Sequence, residues 1–335
     1  MKGNGGSYRN ALIQGGRVAA ACACGVWAAE LLGLEYAVTA GIIAILSIGS
    51  TKKETLKTAR NRGLAFLCAI GISAVCFHVF GYHIWAFGIY VLCFVMVCLL
   101  AGWPEAMAMD SVLISHFLVQ ESMSLYWICN ETLLFLIGTG FGILANALLR
   151  RRRGEFQRLS DEVDKQIVGI LSRMAMRIRS GDKTGYDGSC FDSLDHYLQN
   201  ARICAVQNFN NSLMDSECYE MDYVEMRQKQ RMVLEEIYKS IIMIESKQVQ
   251  AGMVAAFIEQ VAEDYHRENP VTGLLEQMEA VFIKMEEEPL PGSREEFEAR
   301  AILFYILKQL REFLLLKCRF MERYQKNRAR GETSY

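Results

Sequence analysis

Residues 126–153 read YWICNETLLFLIGTGFGILANALLRRRR, an apolar run that ends in four consecutive arginines. At about 1.5 Å per residue, a helix of this length crosses the ~30 Å hydrocarbon layer of a bilayer. The chain changes character at the arginines: of its 36 basic and 38 acidic residues, only 15 lie in residues 1–149. The sequence therefore predicts a transmembrane domain over residues 1–149 and a polar domain over residues 150–335.

Further apolar stretches precede this run, which gives six in total. Their approximate limits are 11–34, 36–50, 63–80, 84–101, 105–123 and 126–149. The second stretch is short and contains Gly41 and Gly49. A short, glycine-interrupted segment is typical of a broken or cavity-lining helix, and a tilted or shallow helix fits equally well. We therefore predict about six membrane helices and leave the form of the second open.

Two basic clusters predict the orientation in the membrane. One lies between Lys52 and Arg62, in the predicted loop after the second stretch, and the other is Arg150–Arg153. The other connections near Glu35, His83 and Glu121 lack lysine and arginine. By the positive-inside rule, both termini are expected in the cytoplasm.

The polar domain has the pattern of amphipathic helices without strand-like alternation, so the whole chain is predicted to be all-α. Val163, Ile167 and Ile170 begin such a pattern, which can extend the sixth membrane helix as one long rod. Residues 181–189 form a predicted linker. Residues 301–316 are apolar enough to suggest a seventh span, but Lys308 and Arg311 interrupt them near the centre. We predict a bundle helix there, within a cytoplasmic antiparallel helical bundle.

Several classes of function lack their sequence signatures. A net charge of −2 gives no reason to expect a nucleic-acid partner. Nucleotide-binding loops, hydrolase elbows and metal-ligand spacings are absent, so neither a cofactor, a metal nor an enzymatic activity is predicted. Gly138 and Gly142 form a pair of small residues that favours close helix packing, and Ala21 with Gly25 form another.

Polar and ionisable residues in the apolar stretches are the candidate functional groups, because such groups are costly in lipid and usually face a bundle interior or cavity. The candidates for a proton or substrate pathway are Arg17, Glu30, Asp110, His116, Asn130 and Glu131. We expect Asp110 toward the cytoplasm, His116 in mid-membrane and Glu131 toward the outside, as successive protonation sites. For these three, a functional role and buried structural pairing both remain open.

The order of the motifs in the membrane half resembles the bacterial aromatic acid exporter family, within the fusaric-acid-resistance-like group. The motifs are Leu32–Tyr36 (LGLEY), Thr39–Leu46 (TAGIIAIL), Ser50–Lys53 (STKK), Phe80–His83 (FGYH), Asp110–Leu113 (DSVL) with His116, Asn130–Glu131, and Gly138–Gly142 (GTGFG) followed by Asn146. The polar half is similar to the cytoplasmic domain of the small members in length and helical character.

The resemblance implies a protein of the bacterial cytoplasmic membrane that exports aromatic carboxylates, driven by the proton gradient. Larger relatives carry two membrane halves in one chain, and this chain shows no internal duplication, so a homodimer in membrane lipid is expected. A secondary transporter would use the ionisable groups above for protons, and Arg17 or the basic second loop to attract the carboxylate. The alternative is a membrane scaffold or sensor whose cytoplasmic bundle recruits a partner.

Overall fold

The computed structural model describes residues 4–147, 153–181, 187–212, 219–244, 249–267 and 269–329. Within these ranges the chain forms twelve α-helices and one 3₁₀ turn, with no strand, so the all-α prediction is confirmed. The chain divides into two compact units near residue 151, and a short segment around Asn210 is grouped with the first unit.

The first unit contains six helices, one in each predicted apolar stretch. They are α1 (Asn4–Leu31), α2 (Val38–Leu46), α3 (Lys52–Phe80), α4 (Ile84–Ala101), α5 (Met107–Val119, after the 3₁₀ turn Pro104–Ala106) and α6 (Leu125–Ala147). Among the described residues, α1, α3, α4 and α6 are long and apolar enough to cross a membrane. At 9 and 13 residues, α2 and α5 are shorter. The nine residues of α2 rise only about 13 Å, so this helix cannot cross the hydrocarbon layer alone.

Helix α2 is short and buries one face, which includes Ala40, Ile43 and Ala44, while Val38 and Ile42 on its other face are exposed. Glycines on α6 let it approach closely. A Cβ atom at Gly138 would lie 2.6 Å from the carbonyl oxygen of Ala40, and one at Gly142 would lie 2.6 Å from Cβ of Ser47. Any side chain at these two glycines would therefore push α2 away. These contacts lie within one chain, so the glycine pair gives no support to association between copies.

Helix α1 packs on α2 through small residues in the same way. A Cβ atom at Gly25 would lie 3.3 Å from the carbonyl oxygen of Ala40, and one at Gly41 would lie 2.6 Å from Cγ2 of Val26. Ala21, one turn before Gly25, is buried as well. Small residues thus bring the backbones of α1, α2 and α6 together, because no bulky side chains separate them.

Helix α3 begins at Lys52 rather than at the predicted residue 63. Thr51 caps it: its Oγ1 accepts a hydrogen bond from the backbone N–H of Glu54 at 3.3 Å, and Oε2 of Glu54 accepts one from the N–H of Ser50 at 3.0 Å. These two bonds satisfy backbone N–H groups on either side of the cap, which fixes the start of the helix at Lys52. The basic residues predicted for the second loop therefore lie on the first three turns of α3, and the loop itself spans only residues 47–51.

The second unit contains the six remaining helices. They are α7 (Arg153–Ser180), α8 (Cys190–Asn210), α9 (Tyr219–Ile242), α10 (Val249–Asp264), α11 (Thr272–Glu286) and α12 (Arg294–Ala329). Residues 301–316 lie in α12, where Leu303, Leu310 and Phe313 are fully buried in the bundle core and Phe304 and Tyr305 are exposed. The prediction of a bundle helix there is confirmed. The predicted continuation of α6 into α7 and most of the predicted linker fall on residues 148–152 and 182–186, outside the described residues.

Ion pairs show that α7 and α10 run antiparallel. Arg179, at the end of α7, pairs with Glu259 within α10 at 2.6 Å, whereas Asp161, near the start of α7, pairs with Arg267, just after α10, at 3.0 Å. All four side chains are at least partly exposed. These pairs therefore show how α7 and α10 are aligned, but they contribute little to stability.

A buried polar network joins α7, α9, α12 and Tyr265, which follows the end of α10. Arg227 of α9 is 1% exposed and forms an ion pair with Asp164 of α7 at 2.7 Å. Its Nη1 donates to Oε1 of Gln230 at 2.7 Å, and the hydroxyl of Tyr265 donates to the same oxygen at 2.8 Å. The amide of Gln230 donates in turn to the backbone carbonyl of Phe313 at 2.7 Å. A buried charge needs such a set of partners to offset its desolvation.

Lys317 of α12 is a second buried cation beside this network. It is 1% exposed, and its Nζ donates to the backbone carbonyl of His266 at 2.5 Å and lies 4.2 Å from the ring centre of Tyr265. Neither partner carries a negative charge. Burial, together with the nearby cation of Arg227, lowers the pKa of Lys317 to about 7.

Candidate functional site

A cluster of buried polar side chains lies in the first unit, between α5 and α6. Nδ1 of His116 lies 2.8 Å from Oε2 of Glu131, and the side-chain amide of Asn130 donates to Oε1 of the same carboxylate at 3.0 Å. Glu131 is fully buried, and His116 and Asn130 nearly so. Both carboxylate oxygens are thus hydrogen-bonded, as expected for a buried carboxylate.

The turn between α5 and α6 brings His116 and Glu131 together. His116 lies three residues before the end of α5, and Glu131 lies six residues after the start of α6. The expectation that His116 lies in mid-membrane and Glu131 farther out is therefore wrong, because both lie near the same turn. They form one hydrogen-bonded pair rather than two successive sites.

The turn between α1 and α2 closes the cluster from another side. Oδ1 of Asn130 accepts a hydrogen bond from the backbone N–H of Glu35 at 2.9 Å, and its amide donates to the carbonyl of the same residue at 3.2 Å. The ring of Tyr36 stacks on His116 with centroids 4.0 Å apart, and Gln120 donates to the Tyr36 hydroxyl at 2.7 Å. Asn130 therefore ties the turn backbone to the carboxylate that holds the imidazole.

Tyr36 and Gln120 are members of the cluster that reasoning from single residues did not select. Tyr36 has a φ of 59°, in the left-handed region that non-glycine residues seldom adopt. Its stacking on His116 requires that backbone conformation to persist, and such outliers often occur at functional sites. The LGLEY motif, which carries part of the family resemblance, contains Tyr36 and is the signal that could have identified it.

Asp110 lies apart from the cluster, in the first turn of α5. Six residues separate it from His116, which corresponds to about 9 Å along the helix. Asp110 is 0% exposed, and neither of its carboxylate oxygens has a hydrogen-bond partner among the residues that the structure describes. Arg62 of α3 lies close enough to interact with it electrostatically. Arg62 is itself buried, although the sequence places it among the basic residues of an exposed loop.

Arg17 and Glu30 belong to neither group. Glu30 is exposed on α1, and Arg17 is partly buried there. Within the described part of the chain, Arg17 forms no ion pair with Asp110 or Glu131, so neither carboxylate is neutralised by it. The described residues also contain no group of three or more His, Cys, Asp or Glu side chains placed to hold a metal ion.

The His116–Glu131 pair joins an imidazole to a carboxylate. The imidazole is the side chain that ordinarily changes charge near neutral pH, and here it lies at hydrogen-bond distance from a carboxylate. The pair is therefore a buried polar contact inside an apolar unit, which marks it as a candidate functional site.

Comparison with known proteins gives matches over most of the chain. Residues 15–149 match the family described as "Aromatic acid exporter family member 1", and residues 154–318 match "Putative aromatic acid exporter C-terminal domain". The uncharacterized protein YqjA of Bacillus subtilis (strain 168) is 27% identical over 304 residues, which cover 91% of this chain and 94% of that protein. A crystal structure of a "putative membrane protein" from Clostridium difficile 630 is 25% identical and has a TM-score of 0.45, covering 50% of this chain and 98% of its own.

Proposed function

The chain belongs to the aromatic acid exporter family, and we propose that it is a secondary transporter that exports aromatic or other small organic acids. The buried His116–Glu131 pair carries the proposal, because an ionisable pair inside an apolar unit is typical of proton pathways in transporters. The export is driven by the proton gradient, and this pair takes up and releases the coupled proton.

The contacts around the pair link it to the turn between α1 and α2. Protonation of His116 strengthens its attraction to Glu131, and the same ring is stacked on Tyr36 at the start of α2. Asn130 links the carboxylate to the backbone of Glu35 in the same turn. The protonation state of the pair is therefore coupled mechanically to the α1–α2 turn, which gives proton binding a route to a conformational change.

Transport in reconstituted vesicles tests this function. Efflux of 4-hydroxybenzoate is measured with and without an imposed pH gradient, for the wild type and for Glu131→Gln and His116→Ala. We expect the gradient to accelerate wild-type efflux, and both variants to lose that acceleration because the proton-binding pair is broken. Glu30→Gln is the matched control, since Glu30 is an exposed carboxylate on α1 of the same unit. Its efflux should equal that of the wild type.

Two results would contradict the proposal. If the well-folded Glu131→Gln protein still responds to the gradient at the wild-type rate, the pair has no part in coupling. If the wild type moves no aromatic acid under any gradient, a scaffold or sensor role for the second unit becomes the better account.

The proposed location is the bacterial cytoplasmic membrane, with both termini in the cytoplasm. The basic first turns of α3 support this orientation, because lysine and arginine accumulate on the cytoplasmic side. A cysteine introduced at position 184 in a cysteine-free background should resist an impermeant thiol reagent in intact cells. Strong labelling from outside would show that the orientation is the opposite of the one proposed.

A homodimer is proposed on the resemblance to larger relatives, in which two membrane halves share one chain. A single unit of six helices would then pair with a second copy. Mass measurement of the detergent-extracted protein over a concentration series should give twice the mass of the 38.0 kDa chain. A monomer that retains full transport would contradict the proposal.

A further inference from the structure

Arg62 and Asp110 are two buried charges of opposite sign that lie near each other without bonding. Arg62 is fixed by uncharged acceptors: its Nε donates to the carbonyl of Glu105 at 3.1 Å, and its Nη1 donates to the carbonyl of Leu46 at 2.8 Å. Its Nη1 also lies 3.5 Å from the hydroxyl oxygen of Ser47, so all three of these acceptors are uncharged. A buried guanidinium with only uncharged acceptors and a buried carboxyl group without hydrogen bonds are both costly.

The surroundings of Asp110 contain few other ionisable groups. Tyr90 and Cys98 face it from α4, Arg62 faces it from α3, and Glu105 lies in the 3₁₀ turn before α5 and interacts with Arg62. Helix α2, which also packs on α5, has no titratable residue in its sequence VTAGIIAIL. Arg62 is therefore the cation available to an anionic ligand here, and Asp110 is the carboxyl group that such a ligand would meet.

Building on the proposed function, we infer that Arg62 and Asp110 form the binding site for the carboxylate of the transported acid. The ligand carboxylate accepts a hydrogen bond from the guanidinium of Arg62 and balances its charge. Two carboxylates cannot lie side by side in a buried site, so Asp110 must be protonated when the ligand binds. Its O–H then donates to the ligand, so Asp110 gains a hydrogen-bond partner and Arg62 gains an opposite charge. Binding of one carboxylate thus requires one proton on Asp110.

Binding measurements on the full-length protein in detergent test the site without relying on transport. Benzoate is the probe, because its carboxylate stays ionised from pH 5.5 to 9.5. We expect the wild-type Kd to rise at alkaline pH, approaching about tenfold per pH unit, which is the limit for one coupled proton. Asp110→Asn replaces the carboxyl group by an amide of the same shape. This variant should bind benzoate with a Kd that no longer depends on pH.

Variants of α3 test the cation. Arg62→Gln should weaken benzoate binding by about tenfold or more at pH 6, since a charge-assisted hydrogen bond is lost. Arg60→Gln is the matched control, because Arg60 is exposed on the same helix, and its Kd should be unchanged. Folding is checked by tryptophan fluorescence. If Arg62→Gln does not fold, Asp110→Asn and the wild-type pH profile decide the matter.

The outcomes separate this inference from the proposed function. A pH-independent Kd in the wild type, a pH-dependent one in Asp110→Asn, or wild-type affinity in a folded Arg62→Gln protein would overturn the site while leaving gradient-driven export intact. A wild-type protein that neither binds benzoate nor transports aromatic acids would overturn both.

Discussion

Lys317→Met should remove most of the pH dependence of stability in the second unit. The lysine is buried without a negatively charged partner, and its pKa is lowered from 10.5 to about 7. Between these values the unfolded chain holds a proton on Lys317 that the folded chain has lost. The free energy of unfolding therefore rises with pH across this window.

The size of the effect follows from the shift in pKa. A shift of this size corresponds to about 5 kcal/mol over the whole window, at about 1.4 kcal/mol per pH unit. The penalty is complete below about pH 7 and disappears above the unfolded value. At pH 7 the folded lysine is about half protonated, so from pH 7 to pH 9 we expect a gain of about 2 kcal/mol. Methionine cannot be protonated and should show no such gain from this position.

Hydrogen exchange on the full-length protein in detergent measures this effect. The opening free energies of peptides from α9 and α12 are compared at pH 7 and pH 9, after correction for the intrinsic exchange rate. Lys308→Met is the matched control, since Lys308 is an exposed lysine on the same helix, and its profile should follow the wild type. The reasoning fails if Lys317→Met keeps the wild-type slope, or if the wild type shows no slope.

Three further predictions concern packing, a buried charge and a helix cap. Gly138→Ala should lower the melting temperature of the first unit, because the added Cβ meets the backbone of α2, whereas Gly140→Ala should not, since nothing lies within 4 Å of that position. All four tryptophans lie in this unit, so their fluorescence reports its unfolding. Arg227→Met should destabilise the second unit by about 3–5 kcal/mol, because it leaves Asp164 without its buried partner; hydrogen exchange in α7 and α9 would show this, and wild-type protection would contradict it. Thr51→Ala should cost about 1 kcal/mol of stability at the start of α3, seen as faster exchange there alone.

The sequence predicts the limits of a helix in the first unit well when the whole helix is apolar. The stretch 84–101 becomes α4 with the same limits, because every residue of that helix is apolar. Helix α3 begins eleven residues before the predicted residue 63, because a charged sequence can continue a helix after its apolar part ends. Hydropathy marks the part of a helix that fits lipid, whereas the cap at Thr51 marks where the helix begins.

The candidate site was predictable in its residue types and less so in its geometry. His116, Asn130 and Glu131 are candidates because polar groups in apolar stretches are costly in lipid and usually have a function. Their contact depends on the turn between α5 and α6, and counting residues from that turn would have suggested it. The position of Arg62 beside Asp110 depends on how α3 packs against α5, which no spacing within one helix records.

Helix α2 connects the two polar sites. At its N-terminal end, the turn of Glu35 and Tyr36 is fastened to Asn130 and His116, and at its C-terminal end the carbonyl of Leu46 is held by Arg62. A helix of nine residues is stiff over its length of about 13 Å. A displacement of α2 along its axis would strain the hydrogen bonds at both of its ends. The residues around His116 and the guanidinium of Arg62 are therefore linked through one short helix.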